Sequence, residues 1–192
     1  FVLCLAHKSA GKNKTVSEWI RAYLNQYLPD DIAITELTPV PERFHSRLSA
    51  VKKIYTYRIE TGEKRDVFSR RICYGLGQAL DVKKMQTAAD LLCGTHDYKS
   101  FCGNKKMKKS TVRTIFRITV EQDAGSGLVK LEFEGNGFLQ NMVRILTGTL
   151  IEVGLGKRDA GSMPEILAAL DRPSAGYTAP AEGLCLQQVF YQ

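Results

Sequence analysis

Apolar and polar positions along the chain follow two periods, one helical and one strand-like. Phe1 to Leu5 is a continuous apolar run, as in a buried strand. Thr15-Val16-Ser17-Glu18 has the spacing of a capping box, a hydroxyl at the N-cap with a carboxylate three residues on. Val16, Trp19, Ile20, Tyr23, Leu24 and Tyr27 then form a helical stripe that Pro29 ends. Ile32 to Val40 reads as a strand entering a loop at Pro41. This opening strand-helix-strand unit is expected to bury Trp19, Ile20 and Leu24 against a sheet.

From Ser49 to Glu60 the pattern alternates. Lys53, Tyr55, Tyr57 and Ile59 share one face, and Lys52, Ile54, Thr56 and Arg58 the other. Asp81 caps a predicted helix carrying Val82, Met85, Ala89 and Leu92, which Gly94 terminates. Strands are predicted over Thr111 to Glu121 and Leu128 to Glu134, joined by the turn Asp-Ala-Gly-Ser-Gly. A helix is predicted from Asn136 to about Val153, with an apolar stripe of Leu139, Met142, Val143, Leu146 and Leu150. A second capping box, Ser162 to Glu165, opens a helix ending near Leu170, and a last strand runs from Leu184 to Tyr191. Helices interleaved with strands and a hairpin predict an α/β (mixed α+β) fold, with a mixed, largely antiparallel sheet flanked by helices. A change of composition near Pro41 to Ser49 divides the chain into two expected lobes, 1–48 and 49–192.

Composition narrows the partners more than the fold. At 44% apolar and 24% charged over 192 residues, the chain is globular, with no apolar run long enough to span a membrane. Lys and Arg number 27 against 20 acids, a net +7 that favours a polyanion, RNA or DNA first, over a merely solvated basic surface. The five cysteines, Cys4, Cys73, Cys93, Cys102 and Cys185, form no C-x-x-C pair and no cluster with histidine, so no zinc site is expected. An odd count without a signal peptide fits a reduced, cytoplasmic protein.

Several groups carry candidate chemistry. Arg47, Lys52 and Lys53 flank the tyrosine strand: cations for phosphate beside rings that can stack on an unpaired base, or an edge strand guarded by lysines with its tyrosines in the core. The loop lysines Lys105, Lys106, Lys108 and Lys109 form a phosphate-contact patch or ordinary solvation. Arg144 lies one turn from Gln140 and from Gly148, whose missing side chain is expected to leave room above the guanidinium. Spacing alone leaves it either a solvated arginine or a two-bond partner for a carboxylate or phosphate. His96-Asp97 reads as a chance neighbour pair rather than an acid–base couple. The phosphate-loop, dinucleotide, metalloprotease and serine-hydrolase motifs are absent.

Six blocks in order carry a resemblance that none carries alone: Leu28-Pro29-Asp30-Asp31-Ile32, Phe44-His45-Ser46-Arg47, Tyr55-Thr56-Tyr57, Asp97-Tyr98-Lys99-Ser100-Phe101, Phe138-Leu139-Gln140-Asn141-Met142-Val143-Arg144 and Ala179-Pro180-Ala181-Glu182-Gly183-Leu184. Over nearly its whole length the chain resembles the TruA-type tRNA pseudouridine synthases. The resemblance implies the pseudouridine-synthase fold and conversion of uridine to pseudouridine in the tRNA anticodon stem-loop, positions 38 to 40. It implies a homodimer with tRNA across both subunits, and no metal or organic cofactor. It also implies roles: Tyr55 stacks on the target uracil and helps take the C5 proton, Arg144 pairs with the catalytic aspartate, and Leu184 closes the pocket against water.

One landmark is missing. The family's catalytic aspartate sits in R-T-D-A-G-V-H-A, which occurs nowhere in this chain. Asp30, Asp31, Asp66, Asp81 and Asp97 lie in other contexts, so none is assigned as nucleophile. The chain is expected to be a carboxy-terminal portion, with the nucleophile upstream of Phe1 and no turnover of its own. The alternative is a non-catalytic RNA-binding module that shares the fold.

Overall fold

The computed structural model describes residues 14–63, 66–104 and 106–191. The apolar run at Phe1 to Leu5, Cys4 and Lys105 lie outside them. Contacts divide the chain into two compact units, between Ser49 and Ala50.

The first unit holds helix α1, Lys14–Asn25, which starts one residue ahead of the expected cap. Its stripe is not covered as expected: Trp19 is 65% exposed, with Tyr23 and Tyr27 exposed beside it. These three rings follow one another down one face: Trp19 stacks on Tyr23 with centroids 5.4 Å apart, and Tyr27 meets Tyr23 tilted, at 5.0 Å. Ile32 to Val40 forms no strand. A strand needs a ladder partner for its backbone groups. Here Asn25 takes that place, donating Nδ2 to the Ile34 carbonyl and accepting from the Ile34 amide. Residues 45–49 close a turn in which His45 Nδ1 accepts from the amides of Arg47 and Leu48.

The second unit is a sheet covered on one face by helices. Its strands are β1 (Ala50–Glu60), β2 (Tyr74–Gly75), β3 (Gly94–Asp97), β4 (Val112–Gln122), β5 (Leu128–Gly135) and β6 (Leu184–Tyr191). The order is β2-β1-β5-β4-β3, with β6 also on β1; only the β1–β2 pair is parallel. The α/β class and the mixed, mostly antiparallel sheet are as the alternation implies. Register aligns Tyr55 with Phe133, Tyr57 with Leu131 and Ile59 with Val129. These side chains face α2 (Val82–Leu91) and α3 (Met142–Gly154), which contribute Met85, Ala88, Ala89, Met142, Leu146 and Leu150 to the core. Asp81 caps α2 by accepting from the Lys84 amide at 3.0 Å.

Three local expectations give way. The helix predicted from Asn136 begins at Met142, because Asn136 prolongs the sheet: its amide donates to the Thr114 carbonyl and its Oδ1 accepts from the Thr114 amide. Ser162 precedes α4 (Met163–Ala169) without capping it, since its hydroxyl donates to the Asp159 carbonyl instead. Finally, α3 is buried almost all round, leaving only Arg144 and Glu152 partly exposed. Gly148 does not open space over the guanidinium. A Cβ there would run into the backbone carbonyl of Tyr177, so glycine is what lets the tail lie directly on the helix.

Candidate active site

The tail from Gly176 to Leu184 links α3 to β1. The Gly176 amide donates to Thr149 Oγ1 at 2.9 Å, and the Ala179 amide to the Arg144 carbonyl at 3.1 Å. Tyr57 donates its hydroxyl to the Pro180 carbonyl at 2.7 Å, and the Arg58 amide donates to Gly183 at 2.9 Å. Leu184 then opens β6 in register with Tyr57, half-buried against the core. A side chain at Gly183 would meet the Tyr57 ring at 2.6 Å, so the glycine permits this crossing.

Arg144 is held by that tail and by the turn before α3. Its Nε donates to the Ala179 carbonyl at 2.6 Å and its Nη1 to Asn141 Oδ1 at 3.3 Å. Asn141 reaches it from a left-handed conformation, φ 57°, which asparagine tolerates better than most residues. Among the described residues no carboxylate forms an ion pair with the guanidinium. The two hydrogen bonds, to Ala179 and Asn141, set it apart from a freely solvated arginine and make it a fixed cation.

Tyr55 lies on the same face as Tyr57, opposite Phe133 on one side and Leu186 on the other. Its ring meets Phe138 edge-on, centroids 5.2 Å apart and planes at 82°. Burial pushes its phenol pKa up. At neutral pH it is therefore a neutral phenol, offering a ring face and a hydroxyl rather than a phenolate base. The same burial, reinforced by Glu182 and opposed by Arg144, raises the pKa of Tyr57.

The other groups fall elsewhere. His96 binds the Cys93 carbonyl and meets Tyr98 edge-on, while Asp97 accepts from Thr111 Oγ1 and the Lys99 amide. They occupy successive strand positions, which point to opposite faces, so they make no couple. Asp66, Asp81 and Asp123 accept hydrogen bonds in turns and caps, which lower their pKa values. Lys52 is 2.8 Å from Glu134 and sits 4.1 Å over the Phe190 ring, so its charge is already paired. Lys53 is half-buried; Arg47, Lys106, Lys108 and Lys109 are exposed. Lys109 lines an open cleft of about 490 Å³ with Asp97, Lys99, Met107 and Arg172.

A family model described as tRNA pseudouridine synthase matches residues 88–192, which contain Arg144, Leu184 and the tail between them. The chain belongs to this family. It is 48% identical over 173 residues to the tRNA pseudouridine synthase A of Shouchella clausii, covering 90% of this chain and 65% of that protein. The tRNA pseudouridine synthase A of Geobacillus kaustophilus is 44% identical over 175 residues, 91% of this chain and 67% of the relative. The tRNA pseudouridine synthase A 2 of Bacillus anthracis is 43% identical over 176 residues, 92% and 71% respectively. This chain thus spans about two thirds of the length of the synthases it matches.

Three contributors of this synthase-family chain stand in the motif blocks without a role of their own. Phe138 and Asn141 fall inside the helix that the pattern predicts, and the Ala179 carbonyl is a backbone group without a signature. The available signal was at Asn141, a residue type at home in the left-handed region.

Proposed function

We propose that the chain forms the pocket portion of a tRNA pseudouridine synthase, isomerising uridine to pseudouridine in the anticodon stem-loop at positions 38 to 40. The observation that carries this is Arg144, fixed by Ala179 and Asn141 with no carboxylate partner among the described residues. A catalytic aspartate, supplied by the part of the protein not contained in this chain, pairs with that guanidinium and stays ionised, as a nucleophile must. The N1–C1′ glycosidic bond breaks, the uracil turns in the pocket, and C5 bonds to C1′ of the ribose. The C5 proton leaves with help from the Tyr55 hydroxyl while N1 ends protonated, so no atom is gained or lost. Tyr55 stacks on the flipped base and offers it a hydroxyl, and Leu184 keeps water from the opened sugar. Arg47, Lys53, Lys106, Lys108 and Lys109, with Lys105, contact tRNA phosphates. Lys52 joins them only by releasing Glu134. The full protein works as a cytoplasmic homodimer, without metal or organic cofactor.

The test is nucleoside analysis of tRNA treated with the full-length protein. Pseudouridine is expected in the anticodon stem-loop, and Arg144→Lys is expected to lower kcat on the order of a hundredfold, since the point charge of lysine cannot reproduce the planar two-bond pairing of a guanidinium with a carboxylate. The 192-residue chain alone should bind tRNA without turnover. Near-normal kinetics for Arg144→Lys, or product from the chain alone, would overturn the assignment.

A further inference from the structure

Where β1 ends, Asp66 to Ile72 forms a loop with a fixed backbone and an exposed apolar tip. The Asp66 amide donates to Glu60 Oε1 at 2.7 Å, Asp66 Oδ1 accepts from the Phe68 amide at 2.9 Å, and Asp66 Oδ2 from the Ser69 hydroxyl at 2.6 Å. The Ile72 amide closes onto the Ser69 carbonyl, Cys73 is buried, and β2 returns alongside Ile59 and Glu60. On this frame Phe68 is 93% exposed, and Val67 and Ile72 are exposed with it. Arg70 and Arg71 are exposed and make no ion pair among the described residues. The loop's one described carboxylate, Asp66, is taken up by the loop's own bonds.

A ring held out to solvent by a bonded backbone, two residues from a pair of free guanidiniums, has the chemistry of a stacking platform for a nucleic acid strand. A symmetric contact between two copies would bring each Arg70–Arg71 pair close to its own image, which like charge disfavours. A polyanion meets no such objection. We infer that this loop is a second RNA-contact element, in which Phe68 stacks on an unpaired base and Arg70 and Arg71 hold neighbouring phosphates. That the RNA is tRNA rests on the function proposed above. Glu60 lies five positions beyond Tyr55 on β1, about 17 Å along the strand, so the loop acts on binding and not on the isomerisation.

The experiment measures tRNA binding and turnover for full-length Phe68→Ala, Phe68→Tyr and the double variant Arg70→Gln/Arg71→Gln. Phe68→Ala is expected to weaken binding about fivefold or more and raise KM alike, with kcat and the salt slope unchanged; Phe68→Tyr should bind as the unaltered protein does. The double variant should lower the slope of log affinity against log salt by about two. Unaltered affinity and slope in all three would overturn the inference. So would a Phe68→Ala variant that dissociates in sedimentation while binding tRNA normally, which would give the surface to a second copy. If the unaltered protein makes no pseudouridine yet these variants lose RNA affinity, the proposed reaction fails and the RNA contact stands.

Discussion

Gly148→Ala tests how closely the tail lies on α3. Within a helix, alanine is preferred over glycine by about 1 kcal/mol, so propensity alone predicts stabilisation. The structure predicts the opposite sign. The new methyl group would overlap the Tyr177 carbonyl oxygen and lie 2.9 Å from its carbon, and backbone cannot swing aside as a flexible side chain can. Overpacking of this kind costs about 1–3 kcal/mol. Shifting the tail also loosens the bonds from Gly176 to Thr149 and from Ala179 to Arg144, each worth about 1 kcal/mol. The net loss is about 2–4 kcal/mol, which at roughly 3 °C per kcal/mol lowers Tm by about 6–12 °C. Thermal melts followed by circular dichroism measure it, and kcat of the full-length variant should fall with the displaced Ala179 carbonyl. A Tm equal to or above that of the unaltered protein would refute the close contact and the account of Arg144 built on it.

Gln86 from α2 completes the β4 edge, donating Nε2 to the Ile118 carbonyl at 3.0 Å and accepting from the Val120 amide at 2.8 Å. Gln86→Ala should therefore lose about 1–3 kcal/mol in urea unfolding, and an unchanged midpoint would count against that bridge. Acid should destabilise the fold through Asp66, Asp81 and Asp123, whose pKa values are lowered chiefly by hydrogen bonds from Ser69, the Lys84 backbone and Ser126. Their contribution is complete above the ordinary aspartate range near about 4 and is lost as pH falls through the lower folded values. Urea melts at successive pH values read this loss, and Asp81→Asn should flatten part of it.

The elements legible from sequence are those whose own residues decide them. In β1, β4, β5 and β6 the side-chain alternation is set by the strand itself, and Asp81 lies next to the helix it caps. Period two also places Tyr55 on the face of Tyr57. What escaped depends on partners distant in sequence. Ile32 to Val40 has strand composition but meets the Asn25 side chain instead of a ladder. Asn136 looks like a helix start until Thr114 claims its amide and side chain. The short strands β2 and β3 are too brief for a period to appear, and exist because β1 and β4 offer them edges. Arg144 is recognisable as a cation, but its anchor is a carbonyl 35 positions away, a group every residue carries. The role of Gly148 likewise becomes visible only when Tyr177 lies on it.

Ala179 binds Arg144 twice, through its amide to the backbone and through its carbonyl to the guanidinium. The exchange of that one amide proton with solvent deuterium therefore reports how often the tail lifts from the helix backbone at Arg144. Ala179 is fully buried on a helix that is itself core, so local fraying gives solvent little access. Exchange there should follow the slowest, global opening of the unit. The carbonyl that seats the Arg144 guanidinium would then be displaced only as often as the whole unit unfolds, a far rarer event than the flicker of a surface loop.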